Sequence, residues 1–108
     1  MTAILTPLSA RDVADRVAAG KAVLVDIREP DEFAHEHPTG AVSTPLSRLD
    51  AARIETASGQ EVIFMCRSGA RTGANCDRLA ACIEGPAFVL DGGLNGWKAA
   101  GLPVAAAR

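Results

Sequence analysis

The chain has no Cys-x-x-Cys pair, no block of lysines and arginines, and no apolar run approaching the roughly 20 residues that span a bilayer. Each absence removes a class of function. The three cysteines, Cys66, Cys76 and Cys82, are odd in number and irregularly spaced, which argues against a disulfide framework and fits a reducing compartment. A formal net charge of -2 and a pI near 5.6, without aromatic residues interleaved among basic ones, make nucleic acid and anionic membranes poor partners. The first residues, Met1 to Pro7, lack the basic and apolar regions of a signal peptide, so the expected location is cytoplasmic, with no membrane contact from this chain itself. His35 and His37 stand two apart with no third ligand at metal-site spacing, so loop-fixing or surface histidines are expected rather than a metal pair.

What is present suits one globular domain over residues 1–108: 48% hydrophobic and 22% charged residues, enough for a single core. Ser9 is a candidate N-cap for a helix over residues 10–19, with Asp12 at its third position and Gly20 as its stop. The apolar runs from Ala22 to Ile27, Val62 to Met65 and Ala87 to Leu90 are nearly continuous, the pattern of strands covered on both faces. Helical patterns at 48–54 and 72–83 lie between them, and Leu94 to Ala100 follows as a short helix carrying Trp97. Strands separated by helices pair in parallel, which predicts an α/β domain with a central, mainly parallel sheet flanked by helices on both faces. In such sheets ligands sit beyond the carboxyl ends of the strands.

Three polar loops start there, after Asp26, at Cys66 and at Asp91. The second is the richest in chemistry: Cys66-Arg67-Ser68-Gly69-Ala70-Arg71-Thr72 ends a strand with a cysteine and opens a helix. Backbone amides and the positive end of a helix favour an anion at that sulfur, and two arginines add formal charge, so the thiol is expected to ionise below its free value of roughly 8.5. Gly69 allows a tight turn toward the sulfur. Cys76 and Cys82 read as small buried hydrophobes. Asp26, Arg28 and Glu32 read as loop-fixing ion-pair residues, and Trp97 as core.

Three motifs in order carry a resemblance. They are Asp26-Ile27-Arg28-Glu29-Pro30-Asp31-Glu32-Phe33 leading to His37 and Gly40-Ala41, the Cys66 loop, and Asp91-Gly92-Gly93-Leu94-Asn95-Gly96-Trp97 closing with Gly101-Leu102-Pro103. Together they make the chain resemble single-domain rhodanese-like sulfurtransferases, in particular the cytosolic rhodanese domain of bacterial inner-membrane rhodaneses, either free-standing or as a domain of a longer polypeptide. The family's usual Gly-His-Ile-Pro-Gly-Ala is here Glu36-His37-Pro38-Thr39-Gly40-Ala41, which changes the backbone freedom of that loop.

The resemblance implies that Cys66 is the catalytic nucleophile. It attacks the outer sulfur of a small anionic donor such as thiosulfate, sulfite leaves, and the persulfide passes to a thiol or cyanide acceptor without metal or organic cofactor. Arg67, Ser68, Gly69, Ala70, Arg71 and Thr72 would form the substrate-binding loop, with the arginines drawing in the donor and the Ser68 and Thr72 hydroxyls donating hydrogen bonds. Persulfide relay to a protein partner is compatible with the same loop, and two rival readings fit the residues less well. Phosphatases and arsenate reductases of similar fold place five residues between cysteine and arginine; here four intervene and Thr72 stands where the arginine would be. An idle rhodanese-like binding module typically lacks the cysteine, which this chain keeps.

Overall fold

A computed structural model describes residues 5–51, 59–81, 83 and 87–106; the side chains of residues 49–51 and 76 lie outside that description. Among the described residues seven strands and five α-helices follow in order: β1 (Thr6–Leu8), α1 (Ala10–Ala18), β2 (Ala22–Asp26), α2 (Pro30–His35), β3 (His37–Pro38), β4 (Val42–Ser43), β5 (Glu61–Met65), α3 (Ala70–Ala74), α4 (Cys76–Ala80), β6 (Ala87–Leu90), α5 (Gly93–Ala99) and β7 (Val104–Ala105). Five strands form one sheet in the order β1-β6-β5-β2-β4, every pair parallel, and β3 pairs with β7 in a separate antiparallel ribbon.

Alternation along β5 explains how one strand serves two cores. Val62, Phe64 and Cys66 pack on one face with Leu79 and Ala87, while Ile63 and Met65 pack on the other with Val13, Leu94 and Trp97. Phe64, Ile63 and Met65 are all fully buried, and each such side chain contributes roughly 1.5–3 kcal/mol. The mainly parallel sheet with a covered face on each side is therefore as the sequence predicts. Cys66 inherits its position from that alternation, on the inner face one residue beyond the last residue of β5.

The elements depart from the sequence reading in several places. The Ser9 cap is present, its Oγ accepting from the Asp12 amide at 3.1 Å. Only Leu46–Ala51 near the expected helix 48–54 is described as helical, and it is a 3-10 turn rather than an α-helix; residues 52–54 lie outside the described residues. The expected helix over 72–83 starts earlier, at Ala70, and is broken at Asn75, whose backbone (φ -124, ψ 23) leaves the helical region. Its side chain caps the first piece by donating to the Arg71 carbonyl at 2.7 Å, an instance of a short amide side chain competing with the helix ladder. The expectation of buried Cys76 and Cys82 side chains lies outside the described residues.

Candidate active site

The carboxyl end of the sheet gathers the three loops. After β2 the chain is fixed by an ion pair that is buried on both sides: Arg28 donates through Nε and Nη2 to Asp26 at 3.0 and 2.7 Å, and through Nη2 to the Glu36 carbonyl at 2.7 Å. Such pairs specify geometry more than they stabilise. Here the geometry is the approach of α2, whose N-terminus carries a capping box in which the Glu29 amide donates to Glu32 at 3.2 Å. His37 is buried, stacked on Phe33 with ring centroids 3.8 Å apart, its Nδ1 2.7 Å from the Phe33 carbonyl. It fixes the loop, as one of the two expected roles for the histidines had it.

Cys66 is 1% exposed. Gly69 takes a left-handed conformation (φ 102), open to glycine at little strain, and this folds the loop back so that its amide donates to Sγ at 3.1 Å. Burial pushes the thiol pKa up, but the amides of Thr72, Gly69, Ser68 and Arg71 together outweigh it and leave the thiol below its ordinary value. The anion-favouring field is thus local. The helix that begins here, α3, has only five residues, so the long helix dipole expected from the sequence is replaced by converging amides. Their direction is set from behind: α5 donates its Leu94 amide to the Cys66 carbonyl at 2.8 Å and its Asn95 amide to the Arg67 carbonyl at 3.0 Å. With the Arg67 carbonyl held outward, the Ser68 amide of the same trans peptide turns toward Sγ.

The loop side chains do not all act as the sequence suggests. Arg71 supplies its amide to the cradle, but its guanidinium is engaged by Glu32, Nη1 to Oε1 at 2.8 Å and Nη2 to Oε2 at 3.0 Å. Its charge still reaches Cys66, but the end-on edge of the guanidinium is shared with a carboxylate. The hydrogen bonds from Arg71 hold Glu32 down to a pKa of about 2, and the same bonds raise Arg71 above its ordinary value. Thr72 is buried and its hydroxyl donates to the Gly69 carbonyl at 2.9 Å, with Sγ 3.9 Å away. It braces the turn and is not aimed outward as a donor. Arg67, Ser68 and Ala70 are exposed. Arg67 makes no ion pair among the described residues. Two clefts border the loop: one of about 300 Å³ beside Ser68, Gly69, Thr72 and Asp91, the other of about 380 Å³ beside Arg67, Glu32, Asn95 and Lys98.

Two features escaped the sequence reading. Glu32 was assigned an ion pair, but its partner lies 39 residues away on another element. Nothing local in the Asp91-Gly92-Gly93 motif marks Gly93 as the point where α5 meets the Cys66 and Arg67 carbonyls. Trp97 is core, 3% exposed, its Nε1 donating to the Pro103 carbonyl at 2.8 Å.

The cradle has a measurable signature. Alkylation of Cys66 by iodoacetamide is expected to rise with pH and level off with a midpoint below the ordinary thiol value in the folded protein. For a group with a depressed folded-state value, the associated stability is present above the unfolded-state pKa and is lost as pH falls through the folded-state pKa. Denaturation curves should therefore weaken across that window on acidification. A midpoint at or above the ordinary thiol value would show that the amides do not favour the thiolate.

The profile of the rhodanese-like domain matches residues 9–100. A protein called sulfurtransferase from Allochromatium vinosum is 34% identical over 84 residues, 78% of each chain. An uncharacterized Synechocystis protein is 46% identical over 82 residues, 75% of this chain and 45% of its own length, so this chain spans less than half of that relative. Among solved structures, a thiosulfate sulfurtransferase from Pseudomonas aeruginosa superposes with a TM-score of 0.79 at 22% identity, covering 99% of this chain and 20% of the other. That likeness speaks for the fold. Among the described residues no helix is long and apolar enough to cross a membrane. With the three motifs, the sheet order and a profile match over most of its length agreeing, the chain belongs to the rhodanese-like domain family.

Proposed function

We propose that this protein is a sulfurtransferase that carries a sulfane sulfur as a persulfide on Cys66, taking it from a donor such as thiosulfate and passing it to a thiol or cyanide acceptor. One observation carries the reading: a thiol at a strand end with the Gly69 amide 3.1 Å from Sγ and three further loop amides lowering its pKa. The Cys66 thiolate attacks the outer sulfur of thiosulfate, the bond between the two donor sulfurs breaks, and sulfite departs with its electron pair. A persulfide anion remains. Its negative sulfur has the same need for N–H donors as the thiolate, so one cradle serves both states. The acceptor thiolate then takes the terminal sulfur and regenerates Cys66. A reducing cytoplasm would keep that thiol free.

The competing oxyanion chemistry is disfavoured because Thr72 stands where a phosphate-gripping arginine would be, and Arg71, one residue earlier, is paired with Glu32. Incubation with thiosulfate should add the mass of one sulfur atom to the intact protein and release one sulfite, and cyanide should remove the added mass as thiocyanate. An unchanged mass at saturating thiosulfate would favour a donor-independent binding module. Offering mercaptopyruvate in parallel, with pyruvate as the readout, distinguishes the two donor classes.

A further inference from the structure

Cations crowd the carboxyl end of the sheet, yet most are neutralised. Arg28 is tied to Asp26, Arg71 to Glu32 and Lys98 to Glu36, at 2.7, 2.8 and 2.6 Å. Arg67 alone among these four makes no ion pair with a described residue, and it stands on the rim of the cleft that Glu32 also lines. The Glu32 pair differs from the other two in place. Its arginine belongs to the loop that surrounds Sγ, and the two carboxylate oxygens take the end-on edge of the guanidinium, one N–H from each terminal nitrogen. The carboxylate is itself held by the Glu29 amide in the capping box, so it is anchored from the α2 side.

Thiosulfate, sulfite, sulfate and phosphate are oxyanions of similar shape and charge, and a free arginine fork binds all of them through two oxygens. A sulfurtransferase needs a different preference. It must admit the donor, react with its soft outer sulfur and then let sulfite go in the presence of unreactive oxyanions.

We propose that Glu32 is a specificity-determining positioning residue: by taking the end-on edge of the Arg71 guanidinium and offsetting its charge it weakens the hold on oxyanions beside Cys66, leaving donor capture mainly to Arg67 and the loop amides and allowing sulfite to leave. This rests on the sulfurtransferase reading for its kinetic consequence but not for its electrostatic one. A carboxylate with a pKa of about 2 stays ionised throughout the working range, so the offset is permanent rather than pH-gated.

The test uses Glu32→Gln, because glutamine keeps an acceptor for the Glu29 amide and is an accepted capping-box residue. Alkylation of Cys66 by anionic iodoacetate relative to neutral iodoacetamide reports the potential at the sulfur without any sulfur donor. In Glu32→Gln that ratio should rise at least about threefold at low salt and return toward the native ratio near 1 M salt, where the screening length is about 3 Å. Glu36→Gln, which removes an equal charge from the Lys98 pair, should change the ratio by less than half as much. An unchanged ratio, or equal changes in the two variants, would overturn the proposal by reducing Glu32 to net charge.

In the kinetic arm, Glu32→Gln should lower both KM for thiosulfate and kcat, and sulfate should inhibit it at least about threefold more tightly. If thiosulfate proves not to be a donor, the alkylation ratio still decides the role of Glu32. Should the variant not fold, the native protein provides the readout: sulfate should protect Cys66 from iodoacetamide no better than chloride at equal ionic strength. Strong, specific protection by sulfate would show the fork to be open and refute the idea.

Discussion

Cys66→Ser is expected to preserve the fold and eliminate sulfur loading, with transfer reduced by about three orders of magnitude or more. The two side chains differ by one atom, so the packing against Val62, Phe64 and Leu79 changes little. What changes is ionisation. Four amides bring a thiol below its ordinary value despite burial, but an alcohol starts several units higher and stays protonated in the same cradle. A hydroxyl there satisfies the Gly69 amide as an acceptor and supplies no nucleophile. Intact-mass measurement after thiosulfate treatment, beside a thermal melt, separates the two effects. A serine variant that still gains sulfur would move the reactive thiol to Cys76 or Cys82 and end the assignment of Cys66.

The sequence exposes this chemistry because it is local. A strand-ending cysteine, a glycine three residues on and a helix start are contiguous, and contiguous residues are what spacing arguments reach. The long strands are equally legible, since Val62 to Met65 and Ala87 to Leu90 are buried on both faces and therefore lack a polar alternation. The small elements are not. β1 is three residues with Pro7 at its centre, tolerated because it lies at the edge of the sheet. β3, β4 and β7 have two residues each and exist only because tertiary partners align them.

The Glu32–Arg71 pair is illegible for the same reason. Both residues are ordinary helix-start residues in their own segments, and only the parallel arrangement of β2 beside β5 brings α2 to the Cys66 loop. Sequence reasoning credited the positive charge of both arginines to the site. The fold shares one of them with a carboxylate.

Gly93→Ala is the substitution expected to damage both fold and site most, at about 3–5 kcal/mol of stability. A β-carbon there would stand 2.3 Å from the Cys66 carbonyl oxygen and 2.8 Å from the Arg67 carbonyl, on backbone at φ +55. The left-handed conformation by itself costs an alanine about 1–2 kcal/mol. The overlap is with main chain rather than a flexible side chain, so it is relieved only if α5 withdraws from the loop. Withdrawal breaks the Leu94 and Asn95 amide bonds to those same carbonyls, each worth about 1 kcal/mol. Once released, the Cys66 and Arg67 peptides are free to rotate, the amide cradle loosens, and the alkylation midpoint of Cys66 should climb toward the ordinary thiol value. Gly20→Ala supplies the comparison. Its φ is +73 but nothing lies within 4 Å of the added carbon, so it carries the conformational penalty without the collision, about 1 kcal/mol, and should leave the Cys66 midpoint in place. Equal destabilisation of the two variants in urea denaturation, with no shift at Cys66, would show that α5 merely packs beside the loop and does not aim its amides.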